Sequence, residues 1–117
     1  MLESIINEVK AMFDFAVTPP SISDTAGQLE YLMALASNVA RLAQLQAEAT
    51  RLYAEQRSAA VRGLDEIAKG FSANERKAVV DGLCARSDEA VTLCERAASA
   101  MDHAGGWMQT VLATNRA

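Results

Sequence analysis

At 117 residues the chain has room for one domain, near the lower limit of what can bury a self-sufficient core. Half of it is hydrophobic but only 5% is aromatic, and much of the apolar half is alanine, which favours helices that pack closely while each burying little area. Eleven bases against fifteen acids give a net charge of −4, which argues against a general polyanion binder. The longest stretch without Asp, Glu, Lys or Arg, from His103 to Asn115, falls short of the ~20 residues of a membrane span.

The first element is an amphipathic helix over about 2–17. Leu2, Ile5, Ile6, Val9, Met12, Phe13 and Ala16 recur at the three-and-four spacing of one helical face, with Glu3, Glu8, Lys10 and Asp14 on the other. Glu3 and Glu8 leave no basic segment for a secretory signal. Pro19-Pro20 stops this helix, because proline lacks a backbone donor and disfavours helical geometry in the residue before it.

A second helix is expected over about 25–69. Thr25-Ala-Gly-Gln28 has the form of a capping box, with Ser21 to Asp24 as rival caps. A seam repeats every seven residues through Leu29, Ala36, Ala43, Thr50, Arg57 and Leu64. Between them come Leu32/Met33, Val39/Ala40, Gln46/Ala47, Tyr53/Ala54, Ala60/Val61 and Ile67/Ala68. Leu35, Leu42, Leu45 and Leu52 lie beyond that seam, so the apolar arc is wider than one partner helix covers. They form the candidate face for an oligomer or a partner.

Gly70-Phe71-Ser72 marks a turn, with Gly70 suited to a left-handed residue and Ser72-Ala-Asn-Glu75 to a second capping box. The third helix, about 73–114, carries Val80, Ser87, Cys94, Met101 and Met108 at heptad spacing. Two long helices joined by a tight turn run antiparallel, each ~60 Å long. The all-α architecture expected is therefore a helical hairpin whose open end is filled by the first helix against Trp107, Met108 and Val111. Gly105-Gly106 either kinks the third helix or lets another helix approach.

Cys84 and Cys94, ten residues apart on one helix, sit ~15 Å apart, beyond disulfide reach. That spacing fits a reducing, cytoplasmic setting. His103 is the single histidine, and Ala100 stands where a Glu-x-x-His metal pair needs an acid. Cys94 and His103 are ~13 Å apart, too far for a nucleophile pair. No catalytic, metal or cofactor site is expected.

Residues 57–86 carry six bases and four acids, a local +2, and the rest of the chain carries −6. Arg62, Lys69, Arg76 and Lys77 around the turn are candidates for a polyanion or partner contact. Arg57, on the seam, is expected to pair with Asp88 or Glu89.

In outline such a hairpin resembles the WXG-type secreted proteins, but their Trp-x-Gly turn is absent, Gly70-Phe71-Ser72 standing in its place. In size and texture the chain is similar to small helical accessory proteins of phages and mobile elements. The function expected is a non-enzymatic interaction module that self-associates and binds a protein partner. A nucleic-acid helper using the basic turn is less favoured, and a bundle holding a small ligand between subunits is a further alternative.

Overall fold

The computed structural model describes residues 1–67 and 69–116. Its elements are four helices, with no strand among the described residues: α1 (Leu2–Ala16), α2 (Thr25–Ile67), α3 (Ala73–Leu83) and α4 (Ala85–Arg116). None is long and apolar enough to cross a membrane. The molecule measures 69 × 23 × 15 Å with a radius of gyration of 19.6 Å. A compact chain near this length has a radius of about 13 Å, so this one is a rod.

Cross-chain pairs set the direction of the long helices. Asp65 meets Arg76 at 2.9 Å, Arg57 meets Asp81 at 3.1 Å, and the Ser87 hydroxyl donates to Gln56 Oε1 at 2.6 Å. At the far end the Asn115 amide reaches Gln28 Oε1 at 3.5 Å. Residue numbers rise on one side as they fall on the other, so α3 and α4 run antiparallel to α2. Gln56 faces Ser87, but the neighbouring Arg57 side chain reaches toward the bend and finds Asp81, not the expected Asp88 or Glu89.

The third helix is interrupted at Cys84, whose dihedrals of −98° and 4° separate α3 from α4. The Ser87 hydroxyl lies 3.0 Å from the Cys84 carbonyl, and serine back-bonding of this kind bends helices. The turn before α3 is fixed by the capping box of Ser72 and Glu75. Gly70 lies in that turn, but no described glycine has a positive φ, so the left-handed conformation expected of it is not adopted. The last pair of the expected seam, Ile67 and Ala68, lies outside the described side chains.

α1 packs against both α4 and α2. Its Ile5, Ile6, Val9, Met12 and Ala16 are buried. Two bidentate pairs orient it: Arg41 holds Glu8 at 2.9 and 3.0 Å, and Arg86 holds Glu3 at 2.6 Å through both oxygens. These pairs are exposed, worth ~0–1 kcal/mol each, so apolar burial is what docks the helix.

The connector is held by side chains. Asp24 caps α2 by accepting from the Gly27 amide at 2.9 Å, displacing the expected Thr25. A β-carbon at residue 27 would lie 2.2 Å from that carboxylate, so glycine permits the close cap. Gln28, freed from a capping box, is fully buried and donates to the carbonyls of Ser21 at 2.8 Å and Ile22 at 2.6 Å. Asn115 donates to the Ile22 carbonyl as well, at 3.0 Å. The Tyr31 hydroxyl donates to the last carbonyl of α1, Ala16, and the Tyr31 ring stacks on Phe15 with centroids 5.1 Å apart.

Candidate functional site

The expected partner face is not on the surface. Leu35, Leu42 and Leu45 are 3%, 2% and 5% exposed, and Leu52 packs partly buried against the same core. The reason is a shift of one residue in the buried row of α2. Gln28, Tyr31, Leu35, Leu42, Leu45 and Ala49 face inward, where Leu29, Ala36, Ala43 and Thr50 had been expected. Two heptad rows lie side by side on this helix, and the one with larger side chains is buried. Each leucine removed from water is worth ~1.5–3 kcal/mol, far more than an alanine. α1 supplies the wall that the leucines need.

The expected seam is consequently turned outward. Leu29, Met33, Ala36, Val39, Ala40, Ala43, Ala47, Thr50 and Ala54 are all exposed, Met33 by 74% and Val39 by 52%. Beside this face, on the opposite side of the molecule from α1, an open groove of about 300 Å³ separates α2 from α4. Val39, Ala43 and Gln46 line one wall, Ala98 and Asp102 the other, with Leu42 and Met101 between them. Gly105 continues the row of Ala98, Met101 and Asp102 at helical spacing. α4 passes through Gly105-Gly106 without a break, and a β-carbon on either glycine would meet nothing within 4 Å. No close neighbour among the described residues accounts for the pair. The pair costs ~1 kcal/mol per glycine relative to alanine.

The basic turn is partly neutralised. Arg76 is bound to Asp65 at 2.9 Å and to the Phe71 carbonyl at 3.4 Å, and Lys77 lies 3.8 Å from Asp81. Arg62 and Lys69 are exposed with no ion pair among the described residues. Apolar side chains share this end: Val61, Phe71, Val79 and Leu83 are all exposed.

A second groove, about 330 Å³, lies between α1 and α4. Val9, Phe13 and Leu93 form its apolar part, and Lys10, Asp14 and Arg96 line it too. Trp107 does not bury itself against α1 as expected but stays 53% exposed, while Met108 and Val111 go into the core. Cys84 and Cys94 are both buried, and burial pushes the Cys94 thiol above its ordinary range, with the Glu95 carboxylate adding to the shift. No group of three or more His, Cys, Asp or Glu among the described residues is placed to hold a metal.

The sequence carried one signal of the exposed face that periodicity alone concealed. Where two adjacent heptad rows compete for the core, side-chain volume ranks them, and leucine outranks alanine. The chain matches no family model, no curated protein and no solved structure.

Proposed function

We propose that this chain is a non-enzymatic interaction module, a cytoplasmic accessory protein that inhibits or helps assemble another macromolecule by docking on it. In this reading the helical hairpin, capped at its open end by α1, is a rigid scaffold, and the outward row of α2 is the docking surface. The observation that supports it is the apolar run from Leu29 to Ala54, with Leu29 44%, Met33 74% and Val39 52% exposed. Single exposed apolar residues are ordinary, but a row aligned along one helix is the form an association surface takes. Small side chains in the row let a partner helix come close.

The test is photo-crosslinking in the native host from a benzophenone amino acid at Met33, against the same group at exposed His103, away from the groove. A discrete protein adduct from position 33 and none from 103 is expected. Equal adducts from both positions, or none from either, would overturn the reading.

Arg62 and Lys69 favour nucleic acid as a second reading, because among the described residues neither turn cation forms an ion pair. Phosphate contacts weaken steeply with salt and apolar docking does not. Sub-micromolar oligonucleotide binding at physiological salt, lost on Arg62→Glu with Lys69→Glu, would move that reading to first place.

A further inference from the structure

We propose that the open groove between α2 and α4 is filled by a second copy of this chain, making a four-helix bundle with each α1 on the outside. The inference rests on the docking reading above and names its occupant. Three features of the groove carry it.

The first is size. The exposed row from Leu29 to Ala54 is roughly 38 Å long at 1.5 Å per residue, and two adjacent helices are roughly 20 Å across. A face of these dimensions is roughly 750 Å², close to the ~800 Å² per partner of a stable complex. α1 occupies the opposite groove and leaves this one unobstructed.

The second is charge. Among the described residues lining the groove, Asp102 alone is ionised, and exposed Glu95 and Asp88 continue its heptad row along α4. The outward row of α2 from Leu29 to Ala54 carries no charge, so in the bundle the acids of each α4 stand beside an uncharged wall of the other copy and not beside each other.

The third is shape. The Gln28–Asn115 bond and the shared Leu42–Met101 floor fix the level of α4 against α2, and interpolation puts Gly105 level with Asn38 and Val39. With the two-fold axis along the rod, α2 of each copy lies against α4 of the other at the same level. All neighbouring helices then run antiparallel, as in an up-down bundle. Exposed Val39 of one copy meets the bare backbone at Gly105 of the other. That contact gives the helix-interior glycine a function that the single chain does not.

The test is sedimentation equilibrium of the full chain at micromolar concentration, where twice the 12.5 kDa chain mass is expected. Ala43→Glu, an exposed substitution in the single chain, should preserve helicity and weaken association by at least ~100-fold, because it buries an unpaired carboxylate in the dimer. Mixing Val39→Cys chains with Gly105→Cys chains should give a disulfide-linked heterodimer faster than either variant links to itself. A wild-type monomer, a dimer indifferent to Ala43→Glu, or heterodimers no faster than homodimers would each overturn the proposal. A monomer that still cross-links to another protein from Met33 would sink this inference and leave the docking reading standing. A dimer cross-linking only to itself would do the reverse.

Discussion

The two ends of the rod are built by different rules. In the body, α1 closes one side of α2 and α4, and the core runs from Ile5 and Ile6 through Leu42 and Leu45 to Cys94, Met101 and Met108. Beyond Ala49 on α2 and before Cys84 on α3, Val80 is the single buried apolar side chain among the described residues. That tip is joined by Arg57–Asp81, Lys77–Asp81 and Arg76–Asp65 and by the Ser72 cap. Two helices alone leave each other half uncovered, and ion pairs at this exposure contribute little. A third helix, however short, is what turns an apolar stripe into a core.

Removing residues 1–16 should produce the largest effect, since it uncovers the leucines of α2 and deletes Ile5, Ile6, Val9 and Met12 at ~1.5–3 kcal/mol of burial each. Thermal denaturation by circular dichroism should show the whole chain destabilised by several kcal/mol, and an unchanged midpoint would break the comparison. Trp107 is already exposed, so its emission maximum should barely move.

Single truncations sharpen the contrast. Ile6→Ala, at a fully buried site, should cost about 2–5 kcal/mol in urea unfolding, whereas Leu83→Ala, 60% exposed at the tip, should stay within ~0.5 kcal/mol. Similar costs at both sites would mean that the tip has cover of its own. Gln28→Ala, which removes both amide bonds to the connector, should cost ~1–3 kcal/mol by the same measurement.

The smallest expected effect is acidic. Hydrogen bonding to Arg86 lowers the folded pKa of the Glu3 carboxyl, and the nearby positive charges of Arg86 and Lys10 act in the same direction. A carboxyl whose folded pKa is depressed adds stability above its unfolded pKa and loses it as pH falls through the folded value. Glu3→Gln should therefore melt slightly below wild type at neutral pH and with it in acid. A difference that grows on acidification would contradict this assignment.

Much of this was legible in the residues. α1 buries five of its seven expected face positions, and Val80, Ser87, Cys94, Met101 and Met108 all face inward. On α4 the row picked out by period is the buried one, although its neighbour holds Leu93 and Trp107. On α2 period and volume disagree. The row through Leu29, Ala36 and Ala43 is continuous in period but poor in volume, and the row through Leu35 and Leu42, expected as the partner face, is the richer in volume. The break at Cys84 was also hidden, because the heptad row from Val80 to Ser87 runs through it without interruption. The exposed face is therefore the expected seam seen from outside, and periodicity alone does not distinguish the two.

The Glu3–Arg86 pair spans 83 residues of chain, and the Asp65–Arg76 pair spans 11. Closing the longer loop costs about 2 kcal/mol more conformational entropy than closing the shorter. The bend at Ser72 can therefore form while the rest of the chain is still open, and α2 and α4 can zip away from it one turn at a time. α1 has nothing to dock on until both of its walls are in place. By loop closure alone, assembly is expected to begin at the end with the thinnest core, with the segment that does most to stabilise the native state arriving last.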